Sequence, residues 1–165
     1  MPASAADRRP GRFPAKGRRW RATRHAGYSW QVEEIILPRQ LVNQILYQAQ
    51  SSPDVEVCGL IAGKNGRPLR AIAINNVSDQ PERLFAMDPA AQIDAQRRMR
   101  EQGEELFGIY HSHPHSPAEP SDTDLRQAGY PEALYLIVSL NTKGVLEMRG
   151  FRLRDGQATP VHLEI

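Results

Sequence analysis

Residues 106–124, LFGIYHSHPHSPAEPSDTD, run from a strand-forming apolar stretch through a proline-stiffened loop to a serine set among acids. Histidines stand at 111, 113 and 115, three of the chain's five. Successive residues of a strand point to opposite faces, so His111 and His113 share one face at a strand end. Two imidazoles so placed can share one ion. Asp124 falls in the first turn of a helix opened by Ser121, and the loop between can fold back to bring a third ligand. Two histidines and a carboxylate leave the fourth tetrahedral position to water, which marks a catalytic rather than a structural zinc. The same letters also have a plainer reading. An isolated HxH is common, and Ser121 with Asp124 spells a capping box whose groups serve only the helix end. For the serine the two readings are compatible.

Working outward, VEVCGLIAG (55–63) reads as a buried strand, and KNGRP (64–68) as a hairpin turn into a strand over 69–77. VEEIIL (32–37) is a further strand. Pro38 opens a helix in which Leu41, Ile45, Leu46 and Ala49 recur at helical spacing. Asp88-Pro89 supplies an N-cap and a first-turn proline for a helix that Gly103 stops. A short helix runs from Ser121 to Gly129. ALYLIVSL (133–140) is apolar almost throughout, as in a central strand covered on both faces. Strands near 145–154 and 159–165 close the chain, joined by Asp155-Gly156. This order predicts an α+β domain, layered α/β/α, with a mixed and largely antiparallel sheet.

The chain has 165 residues, a length that suits one domain with a real core. Its 21 basic and 19 acidic groups are unevenly spread: residues 1–25 hold eight Lys/Arg against one acid, which leaves 13 against 18 elsewhere. The basic segment is rich in Arg, Pro and Ala, lacks apolar periodicity, and is expected to be disordered. The boundaries expected are a basic extension over 1–28 and a folded domain over 29–165. No apolar stretch follows the charges, so the segment does not read as a secretory signal. Nucleic-acid binding would have to come through this tail. A single cysteine, Cys58, excludes an internal disulfide and a thiolate-rich zinc ribbon, and suits a cytoplasmic protein. No apolar run reaches the roughly 18 residues that span a bilayer, so no membrane role is expected. The sequence does not set the oligomeric state.

Several families built on HxH fail on their remaining residues. A cupin wants a glutamate three or four residues on, whereas Glu119 follows after five. Metallo-β-lactamase-type enzymes want HxHxDH, a zinc deaminase needs PCxxC, and the barrel amidohydrolases need far more chain. What remains is Glu56 in EVCGLIAG, His111-Ser112-His113, then seven residues, Ser121, two residues, and Asp124. This arrangement resembles the JAMM (MPN+) metallopeptidase family, in its stand-alone prokaryotic form, over about 31–165.

The resemblance implies an MPN/JAB-like fold with cytidine-deaminase-like layering, and one Zn2+ per chain held by His111, His113 and Asp124 with a water. It implies that Glu56 takes the water's proton and passes it to the departing amine, and that Ser121 stabilises the oxyanion. It further implies an (iso)peptidase acting after the C-terminal glycine of a ubiquitin-like or sulfur-carrier protein with a Gly-Gly tail. Relatives of this fold that have lost the ligands act as scaffolds. An inert binding module is therefore the alternative, although all five polar positions are retained here.

Overall fold

Eight strands join one sheet, with three helices on its faces, among the residues that the computed structural model describes: 18–25, 28–143 and 145–165. The elements in chain order are β1 (Arg18–His25), β2 (Tyr28–Ile36), α1 (Arg39–Ser51), β3 (Cys58–Lys64), β4 (Arg67–Ile74) and α2 (Pro89–Glu101). They continue with β5 (Glu105–His113), α3 (Asp122–Gln127), β6 (Leu134–Ser139), β7 (Glu147–Arg154) and β8 (Gln157–Glu164). The sheet order is β1-β2-β8-β7-β6-β5-β3-β4. Only the β2–β8 and β5–β6 neighbours run parallel, so the sheet is mixed and mostly antiparallel, as expected.

The β3–β4 and β7–β8 connections obey local chemistry. Asn65 and Gly66 both take positive φ (53° and 75°), as do Asp155 and Gly156 (52° and 71°). Two such residues make the two-residue turn whose twist matches flanking antiparallel strands. Helix α2 begins as its sequence dictates: Asp88 accepts a hydrogen bond from the Ala90 N–H at 3.2 Å, and Pro89 needs no partner for a missing N–H.

Packing is layered. Leu41, Val42, Ile45 and Ala49 of α1 bury against Ile61, Tyr110, Leu134, Leu136 and Val138 on one face. Ala95 and Met99 of α2 bury against Leu60, Ile109, Tyr135 and Ile137 on the other. Strand β6 therefore contributes alternate residues to both cores and is buried throughout. Across the sheet, Arg152 grips Glu33 in a buried bidentate pair, at 2.7 and 3.0 Å.

A bulge in β5 was not foreseen. Opposite β3 the register steps from Gly108 (facing Ile61) to Leu106 (facing Ala62), so Phe107 is an extra residue. Leu106 and Ile109 thus share the α2 face, while Phe107 and Tyr110 share the α1 face. From Ile109 onward, odd residues point towards α2.

The disordered extension expected over 1–28 needs correction where it can be compared. Residues 18–25 form β1, paired antiparallel with β2 from Arg18 opposite Ile35 to His25 opposite Tyr28. An edge strand can be held by backbone hydrogen bonds alone, without an apolar period in its sequence. Residues 1–17, 26 and 27 of that expectation lie outside the described residues. Strand β2 also starts earlier than position 32, and β4 ends at Ile74 rather than at 77.

Where β3, β4 and β5 meet, Gly59 has no room for a side chain. A Cβ there would lie 2.3 Å from the Tyr110 hydroxyl and 2.4 Å from the Ile72 carbonyl. The carbonyl belongs to the backbone and cannot swing aside. Gly59→Ala should lower the unfolding free energy by at least about 1–3 kcal/mol, the usual cost of overpacking. Adding Tyr110→Phe should not restore it. Urea titration of the three proteins checks this, and full recovery in the double variant would refute the backbone clash.

Candidate metal centre

The bulge decides which way the end of β5 faces. His111 and His113 point to the α2 side, where α3 lies, while Ser112 points to the opposite face. All three residues are buried. Strand β6 runs parallel beside them, with Ile137 opposite His111 and Ser139 opposite His113. The loop after His113 is tied down by Ser139, whose hydroxyl donates to the Ser116 carbonyl at 2.7 Å. That anchoring places the Pro117 carbonyl 2.7 Å from His113 Nδ1. Nδ1 must donate there, which leaves the lone pair of Nε2 facing inward.

Three donor atoms converge. His111 Nε2 lies 3.0 Å from His113 Nε2, and Asp124 Oδ2 lies 3.1 Å from the first and 3.2 Å from the second. Ligand atoms bound at about 2.0–2.1 Å to a tetrahedral zinc stand roughly 3.3 Å apart. The triangle therefore fits a small divalent cation, and a cation resolves the repulsion of lone pairs aimed at one point. Glu56 comes next, with Oε1 at 3.6 Å from His113 Nε2. Donor atoms of Glu56, His111 and His113 all lie within 4.8 Å of one another, close enough for one ion to reach all three.

Asp124 makes two sets of contacts. Ser121 caps α3 by accepting from the Asp124 N–H at 3.0 Å, and Asp124 Oδ2 accepts from the Ser121 N–H at 2.9 Å. The capping box is real, and its carboxylate oxygen is the same atom that faces both imidazoles. The capping box is compatible with the other reading, because it fixes the carboxylate that reaches the histidines.

Electrostatics separates the carboxylates. Burial pushes the Glu56 carboxyl up to about 7, with His113 pulling it down and Asp124 adding to the rise. Burial would also raise Asp124, but the two imidazoles and the Ser121 N–H beside it hold it well below the usual carboxylate range. His111 is pulled below its ordinary value by burial, against the opposing pull of Asp124. Burial would lower His113 too, but Asp124, the Pro117 carbonyl and Glu56 outweigh it and raise the ring's pKa. Cys58 donates its thiol to the Ile74 carbonyl, and burial pushes its pKa up to about 12, which removes it as a nucleophile.

Three groups at the site were not found from the sequence. Ser112, between the two histidines, accepts from the Val57 N–H at 2.9 Å through Oγ and donates its own N–H to the Val57 carbonyl at 3.0 Å. It thereby staples the residue after Glu56 to β5. Strand alternation alone places Ser112 opposite the histidines, but not what it meets. Asn76 donates to the Glu56 carbonyl at 2.9 Å and completes that anchor. Phe85, from the loop before α2, stacks on the His111 ring at 4.5 Å. Its loop has no periodicity from which to predict that. His115 is exposed and outside the cluster.

Residues 38–153 match the family described as prokaryotic homologs of the JAB domain. The chain is 34% identical over 127 residues to the CysO-cysteine peptidase of Mycobacterium tuberculosis, covering 76% of this chain and 86% of that protein. A desampylase of Pyrococcus furiosus is 36% identical over 110 residues, 67% of this chain and 76% of the relative. A probable TtuB-protein conjugate cleaving protease of Thermus thermophilus is 33% identical over 123 residues, 74% and 78% of the two chains. Among solved structures, protein DSY2949 of Desulfitobacterium hafniense superposes with a TM-score of 0.65 at 31% identity, covering 78% of this chain and 89% of that one.

Ser112→Ala removes the acceptor for a buried N–H, which typically costs about 1–3 kcal/mol. Chemical denaturation should register that loss while metal analysis finds the same stoichiometry as in the unaltered protein, because the hydroxyl faces away from the donor triangle. Unchanged stability would mean that the staple does not hold the Glu56 segment.

Proposed function

The chain belongs to the prokaryotic homologs of the JAB domain, and from that premise we propose that it is a zinc-dependent peptidase. In this reading it hydrolyses the amide bond after the C-terminal glycine of a ubiquitin-like or sulfur-carrier protein. The observation that carries this is the triangle of His111 Nε2, His113 Nε2 and Asp124 Oδ2 beside the buried Glu56. His111, His113 and Asp124 would hold the ion. Asp124 is assigned as third ligand ahead of Glu56 because it is nearer to both imidazoles and stays ionised. Such an ion supplies Lewis acidity: it brings the pKa of a water towards about 7 and polarises a carbonyl.

The chain's own groups do the rest. Glu56 takes the proton of the attacking water and delivers it to the departing amine. A carboxyl whose pKa burial brings to about 7 can serve in both directions at neutral pH. Ser121 Oγ already accepts from the Asp124 N–H, so its own proton is available for the oxyanion.

For the tail of the carrier we favour the segment 83–87 over β4. Phe85 of this segment stacks on His111, and the Asn76–Met87 bridge ties its end to the residues after β4. A Gly-Gly tail laid along such a segment presents little side chain to a narrow approach. We assign the catalytic domain to 29–165. The buried free thiol of Cys58 suits a cytoplasmic setting, and no helix among the described residues is long and apolar enough to cross a membrane.

The purified protein should carry about one zinc per chain, and His113→Ala should lose most of it. Chelation should lower the melting temperature, since an ion bound only to the folded state stabilises it. Full occupancy in a His111/His113 double-alanine variant would remove the assignment. Glu56→Gln should retain zinc and fold while lowering turnover about 10²–10⁴-fold, the usual worth of general acid–base catalysis. Intact-mass analysis of a Gly-Gly carrier bearing a C-terminal extension tests the substrate. Cleavage should fall after the second glycine, and indifference to replacing both glycines by bulky residues would indicate a general peptidase.

A further inference from the structure

The two imidazoles of the donor triangle are supported differently. His113 Nδ1 donates to the Pro117 carbonyl at 2.7 Å, which fixes the plane of its ring. His111 Nδ1 is buried and has no hydrogen-bond partner among the described residues. An imidazole's lone pair lies in the ring plane, so rotation about Cβ–Cγ would swing His111 Nε2 away from the other two donors. A metal-ligating histidine is ordinarily held against that rotation by a hydrogen bond at its second nitrogen. Here a ring takes its place. Phe85 stacks on His111, with centroids 4.5 Å apart and planes inclined by 25°. A flat neighbour at that distance favours the stacked orientation and obstructs a turn of the imidazole.

Phe85 is itself placed by one side chain. Asn76 Nδ2 donates to the Leu84 carbonyl at 2.9 Å, and Asn76 Oδ1 accepts from the Ala86 N–H at 3.0 Å. Those groups belong to the peptide units on either side of the Phe85 Cα, so one amide constrains both backbone dihedrals of Phe85. The same Nδ2 donates to the Glu56 carbonyl at 2.9 Å, and Oδ1 also accepts from the Ser78 N–H at 3.0 Å. The carboxamide's two donors and two acceptor positions are thus all used. The loop reaches Glu56 a second time through the Pro81 carbonyl, which accepts from the Glu56 N–H at 2.7 Å. Its base is closed by the Val77 N–H, which donates to the Ala86 carbonyl at 2.8 Å.

We propose that Phe85 is the positioning residue of His111, and that Asn76 sets Phe85 in fixed relation to Glu56. The stack stands in for the hydrogen bond that His111 Nδ1 lacks. A single amide then ties that support to the backbone of the acid–base carboxylate. What residue 85 must supply is a flat ring, not merely apolar volume. The proposal rests on His111 being a zinc ligand, as the peptidase reading holds.

Zinc affinity, measured by competition with a chromophoric chelator, tests this without turnover. Phe85→Leu keeps an apolar side chain but loses the plane, and should weaken zinc binding about 10–100-fold, the usual cost of losing a ligand's outer support. Phe85→Tyr keeps the plane and should retain most of the affinity. The visible absorption bands of the Co2+-loaded proteins should divide the same way, altered by Leu and preserved by Tyr. Asn76→Ala should weaken zinc binding as Phe85→Leu does, and the double variant should lose little more, because both act through one ring. At saturating zinc, kcat on an extended Gly-Gly carrier should fall further in Asn76→Ala than in Phe85→Leu, since only the first removes a bond to Glu56. Unchanged affinity in Phe85→Leu, or equal losses with Leu and Tyr, would overturn the proposal and leave the peptidase reading intact. So would a fall in the melting temperature of the metal-free Phe85→Leu protein large enough to account for the lost zinc. Additive losses in the double variant would overturn the part given to Asn76, and equal kcat in the two single variants its link to Glu56. Zinc bound at wild-type strength by His111→Ala would overturn the ligand assignment, and with it both the peptidase reading and the proposal.

Discussion

Three lone-pair donors, two imidazole nitrogens and a carboxylate oxygen, are held within 3.2 Å of one another at a buried strand end. Without a cation this is a costly arrangement, because the nitrogen facing inward on His113 has its proton on the other side of the ring. Buried polar groups are normally satisfied by partners, and His111 Nδ1, buried and without a hydrogen-bond partner among the described residues, adds to the cost. The surrounding fold can be understood as what keeps these atoms from moving apart. Strand β6 fixes β5 from one side and β3 from the other, Ser139 holds the loop, and the capping box of α3 holds the carboxylate.

The same scaffold drives the proton affinities of the two carboxylates apart. Asp124 accepts from the Ser121 N–H and faces both imidazoles, which keeps it ionised, whereas Glu56 is buried and gains proton affinity. Neighbouring carboxylates driven apart in this way are a common basis for dividing ligand from acid–base work. Glu56 owes its place to backbone contacts. Pro81, Asn76 and Ser112 all bind the main chain at residues 56 and 57, so the side chain projects into the site from a segment that cannot drift.

Much of this was legible in the amino-acid order because it depends on local rules. Leu41, Ile45 and Ala49 repeat with the period of a helix, Asn65-Gly66 and Asp155-Gly156 adopt the positive φ of tight hairpins, and Asp88-Pro89 opens a helix. Strand alternation put His111 and His113 on one face, and the Ser-x-x-Asp spacing gave the capping box. The tail shows the limit of that method. Absence of apolar period predicts absence of structure, yet Arg18–His25 pairs along β2 through backbone groups that every residue carries.

The sequence by itself thus determined the elements from β2 onward, their order and the side chains able to meet at the end of β5. Tertiary structure decided where they meet. The extra residue at Phe107 sets which face of the sheet receives the histidines, and a bulge is a product of pairing with β3 rather than of any local preference. The contact of Phe85 with His111, the staple from Ser112 to Val57, and the sharing of one cleft by Arg83 and Glu56 join segments 26 to 55 residues apart. Periodicity reports only which face a residue occupies within its own element. What that face touches is fixed when separate elements compete to bury their apolar surfaces in a common core.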